Sequence, residues 1–284
     1  MVKLLLIPLI VLLSGCSHLF FWPEPGLRVT PDQFSIPYQD VVLHTHDCVQ
    51  LHGWWLPARD VDNYAAQGII YFLHGNAENI STHAGAISWI THHGWHVFLL
   101  DYRGYGLSEG RPSISGVHLD AIAGLQWSLQ QAQRLDMPLV VIGQSLGGTT
   151  ALTALVKDPA GKEVTAVVMD SAFAGHRRIM RDKLRENWFT WPLALPLSWT
   201  ITDRYSPEQH ISQRPGFALL IMHSCADTVI PCSHSKLLAV QAGEPHELWL
   251  DDQAPHIGML AQPKWRHALL EWLNEVSRTT QVDH

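Results

Sequence analysis

Basic runs interleaved with aromatics are missing from this 284-residue chain, and its formal net charge is −7. Nucleic acid is bound mainly through cationic surface, so that class of partner is excluded. An apolar run long enough to cross a bilayer is missing too. Leu4 to Leu13 is apolar but too short for a comfortable helical span, which needs about 20 residues. There are 18 histidines, but neither H-E-x-x-H nor a paired Cys/His ligand spacing occurs among them. His44, His46 and His52 are the only histidines that strand geometry would gather, and no metal is expected. Internal repeats and low-complexity segments are absent. With 46% hydrophobic and 16% charged residues, the chain is globular and long enough for one sizeable core.

What is present centres on Leu139 to Ala151. Leu139-Val140-Val141-Ile142 reads as a buried strand. Gly143-Gln144-Ser145-Leu146-Gly147 follows, then Gly148 and a small-residue run that reads as a helix. G-x-S-x-G between strand and helix is a nucleophile elbow, a sharp turn that lifts the serine hydroxyl above the sheet edge. Glycines flank it because strand and helix approach too closely for a Cβ. The helix start also places amide N–H groups where negative charge can be stabilised.

Either side of the elbow, strand and helix patterns alternate. Val41 to Leu43 and Val49 to Leu56 form a hairpin turning at Asp47-Cys48. Strands are expected at Gly68 to Leu73, Trp95 to Leu100, Val164 to Met169, Phe217 to Met222 and Glu247 to Leu250. Helices are expected at about Thr82 to His93, Ser115 to Arg134, Ser233 to Val240 and Pro263 to Val276. This rhythm predicts an α/β fold with a mostly parallel, doubly wound sheet and its site at the carboxyl ends of the strands. Residues 172–216 break the rhythm with a basic helical piece followed by a Trp, Leu and Pro-rich stretch.

A serine hydroxyl needs a base to take its proton, and the base needs a group to orient it. Asp227 and His256 follow successive predicted strands, in the chain order Ser, Asp, His expected of such a fold. Asp170, closing the strand after the elbow, is the competing acid. Asp101 and Arg103 are expected to tie the turn after their strand.

From about residue 38 onward the chain resembles the alpha/beta-hydrolase superfamily, nearest the Bem-type serine hydrolases, monoacylglycerol lipases and serine aminopeptidases. The resemblance is carried by His74-Gly75-Asn76-Ala77-Glu78-Asn79, Asp101-Tyr102-Arg103-Gly104-Tyr105-Gly106-Leu107-Ser108, the elbow, and Asp227 with Val229-Ile230-Pro231. It implies Ser145 as nucleophile, His256 as base then acid, Asp227 as orienting carboxylate, and the N–H groups of Asn76 and Leu146 as oxyanion hole. Residues 172–216 occupy the place of the superfamily's cap, here a short one; its aromatics would form a partial lid or pack as core. The chain departs from the family at Cys48 and Ser224, where glycine is usual.

The amino terminus reads as a targeting segment. Leu13-Ser14-Gly15-Cys16 resembles the lipobox of bacterial lipoproteins, which implies lipidation (a palmitate-type acyl anchor) of Cys16 after removal of a 1–15 signal peptide. Ser17 next to it implies sorting to the outer membrane. Residues 16–37 would then be a tether and 38–284 the catalytic domain. Export makes disulfides possible. Cys225 and Cys232, closely spaced around Asp227, are the preferred pair, with Cys48 the rival partner.

The expected protein is a lipid-anchored serine hydrolase of acyl or lipid-like carboxylic esters, facing the periplasm. A peptidase or amidase of the same mechanism, or an idle hydrolase scaffold used for binding, are the alternatives. No organic cofactor is implied. The partners expected are a small ester or lipid and the membrane at the anchor.

Overall fold

The structure, a computed structural model, describes residues 21–59, 66–186 and 188–282, with side chains as far as residue 278. The expected signal peptide 1–15 and the lipidation site Cys16 lie outside the described residues.

Eight strands form one sheet: β1 Gln39–His44, β2 Gln50–Leu56, β3 Gly68–Leu73, β4 Trp95–Leu100, β5 Leu139–Gln144, β6 Ala166–Asp170, β7 Ala218–Ser224 and β8 Glu247–Asp251. Their spatial order is β8-β7-β6-β5-β3-β4-β2-β1. The hairpin β1–β2 is antiparallel, and so is the β2–β4 pair. All the other pairs are parallel. The α/β fold with an N-terminal antiparallel hairpin is therefore present as the strand rhythm predicts. Cys48, at the hairpin turn, has φ 61°, the left-handed conformation that favours glycine.

Because both faces are covered, β3 to β7 are mostly apolar, with polar residues chiefly at their carboxyl ends, and alternate residues serve opposite cores. Tyr71, Val141, Met169 and Ile221 point to one face with Leu125 and Leu129 of α2 (Ile114–Leu135) and Leu152 of α3 (Leu146–Lys157). Ile70, Phe72, Ile142, Val168 and Met222 point to the other, against Ile80 and Ile87 of the helix α1 (Ile80–Ile87) and against the C-terminal helix Pro263–Val282. The helix expected over 82–93 is two pieces: α1, then a 3₁₀ turn Ser88–His93 that ends at Gly94 with φ 80°.

The stretch 16–37, expected as a tether, is docked from Phe21 on. Trp22–Pro23 pairs in parallel with Ala77–Glu78. Gly26 N–H donates to Gly106 O at 2.7 Å, and Gly106 N–H donates to Glu24 O at 2.9 Å. The Asn79 side chain caps α1 through Ser81 N–H and donates its own amide to Glu24 O and Gly26 O at 3.0 and 2.6 Å. Phe21 itself is buried. Local composition, rich in proline and aromatics, hid this docking because its partners lie about 50–80 residues away in the chain.

Between β6 and β7, the stretch 172–216 holds helix α4 (His176–Arg185), a short helix α5 (Ala194–Ser198) and several 3₁₀ turns. Trp188, Trp191, Leu193, Leu195, Leu197 and Trp199 are exposed. They do not pack as core, one of the two roles the sequence suggested for them. Ala194, Ser198 and Ile201, spaced i, i+4, i+7, face inward in their place.

Candidate active site

The elbow is a direct consequence of close packing. A Cβ on Gly143 would lie 2.4 Å from the Gly147 carbonyl carbon, and one on Gly147 would lie 2.0 Å from Leu73 O. No side chain fits either place, so β5, α3 and β3 meet backbone to backbone. Ser145 adopts φ 55° and ψ −116°, a strained conformation for a residue with a Cβ. Its N–H donates to Asp170 O at 2.8 Å, which holds the turn against β6. Leu146 is the first residue of α3. Amides at that position have no carbonyl partner within their own helix.

The acid and histidine arrive on the two loops after β7 and β8. His256 Nδ1 lies 2.6 Å from Asp227 Oδ2. The other carboxylate oxygen of Asp227 accepts from Val229 N–H at 2.7 Å and Ile230 N–H at 2.9 Å. Burial alone would raise the Asp227 pKa. The bond from His256 and the two backbone N–H groups outweigh it and hold the carboxyl below its ordinary range. A carboxylate in this setting stays ionised and can keep the imidazole N–H directed at itself.

Two contacts bring the histidine loop to the elbow. Ile257 N–H donates to Ser171 Oγ at 3.3 Å. Ser171 follows Asp170, whose carbonyl receives the Ser145 N–H. Asp170 points elsewhere: its carboxylate accepts from Gln144 Nε2 at 2.9 Å and Ser171 Oγ at 3.0 Å. Burial pushes its pKa up, the reverse of Asp227. Asp227 and His256 are thus in direct contact, on loops beyond the carboxyl ends of strands in the sheet that carries Ser145, and Asp170 bonds Gln144 and Ser171 beside the elbow.

Asn76 is the third residue of the loop after β3. Two tyrosines from the 101–108 motif hold that loop. Tyr102 Oη donates to His74 O at 3.1 Å, and Tyr105 Oη donates to Asn76 O at 2.7 Å. Asp101 accepts Ile80 N–H at 2.9 Å, anchoring the helix that follows. Arg103 grips Asp120 of α2 at 2.9 Å and Asp47 of the hairpin turn at 2.8 Å; its role is structural as expected, but it ties separate elements and not only the turn after its strand. Sequence reasoning took Asp101 and Arg103 as structural but passed over Tyr102 and Tyr105. Their place inside the motif was the available signal. The Ala77–Glu78 pairing with Trp22–Pro23 secures the same loop from the other side.

His223 was also passed over. It is fully buried at the end of β7 and lies 3.5 Å from Asp227 Oδ2. Its Nε2 is 2.9 Å from Ile230 O and its Nδ1 is 2.6 Å from Ser235 Oγ. An Nε2–H tautomer satisfies both: it donates to the carbonyl and accepts the hydroxyl proton. Burial lowers its pKa, which keeps it neutral beside the acid. Ser224 Oγ accepts Ala226 N–H at 3.2 Å and so starts the acid loop where the family usually has glycine. Cys225 and Cys232 are joined across that loop with Cα atoms 5.0 Å apart, while Cys48 is free and exposed.

Phe21, His118, Thr150, His176 and Tyr205 pack around Leu146 and leave no space between them large enough for a water molecule. Burial pushes both His118 and His176 down to about 4, so they stand neutral at ordinary pH. The described residues contain no group of three or more His, Cys, Asp or Glu arranged to hold a metal ion.

With this geometry in place, comparison with known proteins is informative. The family described as serine aminopeptidase, S33 matches residues 64–215. YfhR of Escherichia coli K12 is 31% identical over 241 residues, covering 84% of this chain and 80% of that protein. Bem46 of Schizosaccharomyces pombe is 26% identical over 216 residues, covering 74% and 67%. Among solved structures, a Pyrococcus furiosus esterase superposes over 91% of this chain and 98% of its own, with TM-score 0.69 and 22% identity. A soluble variant of monoglyceride lipase from Saccharomyces cerevisiae, in complex with a substrate analog, superposes over 90% and 99%, with TM-score 0.66 and 17% identity. At such identities the structures speak for a shared fold.

Proposed function

The chain belongs to the serine aminopeptidase S33 family of alpha/beta-hydrolases, and from that premise we propose that it hydrolyses carboxylic esters with acyl or lipid-like groups through an acyl-enzyme. Ser145 Oγ attacks the ester carbonyl as His256 takes its proton. The oxyanion is received by the N–H groups of Leu146 and Asn76. His256 then hands the proton to the leaving alcohol, and water, activated by the same imidazole, releases the acid and regenerates the serine. Asp227 keeps the imidazole in the required tautomer throughout.

The observation that carries this reading is the 2.6 Å contact between Asp227 and His256 on loops tied to the elbow of Ser145. The esterase and lipase among the structural relatives favour this substrate class. Amide cleavage is the second reading, favoured by the aminopeptidase description of the family. We further propose that Cys16 carries a lipid that holds the enzyme at the outer membrane facing the periplasm; palmitate incorporation that survives in Cys16→Ser would refute it.

A fluorophosphonate should label the protein at Ser145, and Ser145→Ala should lose at least about 10³ in ester turnover. A panel of acyl esters of graded length beside aminoacyl amides then separates the two readings. Labelling at another serine, or an active Ser145→Ala, ends both of them.

A further inference from the structure

The stretch 188–199 turns its large apolar side chains outward. Trp188 is 83% exposed, Trp191 62% and Trp199 70%, and Leu193 and Leu195 accompany them. The small residues Ala194 and Ser198 face the protein. A segment that rests on water normally shows the opposite pattern. Contiguous apolar surface of this kind marks a contact with something other than water.

We propose that this stretch docks the protein onto an anionic phospholipid surface, with the three tryptophans seated among the headgroups and upper acyl chains. Tryptophan is the residue type that collects at bilayer interfaces, having an apolar body and one N–H donor. Charge points the same way. Residues 172–216 contain seven Lys or Arg against four Asp or Glu, a local net of +3 in a chain whose total is −7. Three of the seven are ion-paired locally, to Asp203, Glu208 and Glu186. Arg185 and Arg204, both exposed, flank the tryptophans on either side. Anionic headgroups complement that bias, and basic residues beside an apolar face strengthen such binding. A second copy of the chain would bring the same positive surface against itself.

The position of the amino terminus adds to this. Phe21 packs with His176 and Tyr205, which precede and follow the stretch 188–199. Cys16, the proposed lipid site, is five residues earlier, and five residues reach no more than about 18 Å. An anchor there is held within that reach of His176 and Tyr205. The acid loop lies close by: Lys183 Nζ lies 3.5 Å from Thr228 O, and Val229 is exposed. Substrate held in a bilayer would then meet the site from the docked face.

The test uses the full chain carrying Cys16→Ser, so that no lipid on that residue contributes. Vesicles of phosphatidylethanolamine and phosphatidylglycerol with brominated acyl chains should quench tryptophan emission. Trp188→Ser/Trp191→Ser/Trp199→Ser should lose most of that quenching, and each single change should lose part, so the outcome does not hang on the triple variant. Phosphatidylcholine vesicles should quench several-fold less. Ser145→Ala should be quenched like its parent, which separates failure of this inference from failure of the hydrolase reading. Equal quenching with and without the three tryptophans overturns the proposal. So does an absence of quenching, including the case in which the tryptophans are found buried in a dimer by sedimentation.

Discussion

The elbow around Ser145 and the stretch 188–199 both place small residues inward, for different ends. At the elbow, Gly143 and Gly147 are small so that backbone can touch backbone, and every large apolar side chain nearby is consumed by the core. In the stretch 188–199, Ala194 and Ser198 are small while tryptophan and leucine are left in water. The first region spends its apolar groups on its own folding. The second contributes little to folding and holds its apolar groups for contact with another phase. Changes of similar size should therefore have opposite consequences in the two places.

The largest effect is expected in the acid loop. Asp227→Asn should lower ester turnover by about 10³–10⁴, because the imidazole loses the partner that sets its tautomer. Asp170→Asn should lose far less turnover, since Asp170 bonds Gln144 and Ser171 and not the imidazole. Steady-state kinetics on both, with folding checked by circular dichroism, decides. A greater loss in Asp170→Asn would move the orienting role to Asp170.

Next comes Gly147→Ala. Its new methyl would have to displace backbone atoms of Leu73 and His74, at a cost above about 3 kcal/mol. Urea unfolding should show that loss; a near-neutral result would mean the elbow is far looser than its contacts imply. The disulfide ranks third. Cys225→Ser/Cys232→Ser should destabilise by about 2–3 kcal/mol at most, given so short a ring. It should also reduce turnover, through a less ordered Asp227. Intact turnover in the double variant would confine the bond to stability. Smallest is Trp191→Ser, which should change stability in solution by no more than about 0.5 kcal/mol. A loss of 2 kcal/mol or more would show that the tryptophan belongs to the fold after all.

Much of the site could be read along the chain because its members are strand-end residues. Ser145, Asp227 and His256 each follow an apolar run whose length and period mark a strand, and parallel topology brings such ends to one edge. What escaped reading acts through partners distant in sequence. Tyr105 bonds Asn76 across 29 positions, and Arg103 bonds Asp47 across 56. His223 lies within the acid loop's own neighbourhood, yet its burial beside Asp227 depends on Ser235 and Ile230 closing over it.

Apolar period, glycine spacing and chain order, all properties of neighbouring residues, determined the α/β class, the elbow and the candidate nucleophile, acid and base. Tertiary structure decided the rest. It placed Asp227, and not Asp170, on the imidazole, since that choice depends on how far each loop extends beyond the sheet. It docked the segment after Phe21 against the Asn76 loop, and it turned Trp188, Trp191 and Trp199 outward. An apolar side chain carries no direction of its own. Only the packing of the backbone beneath it determines whether that side chain becomes core or surface.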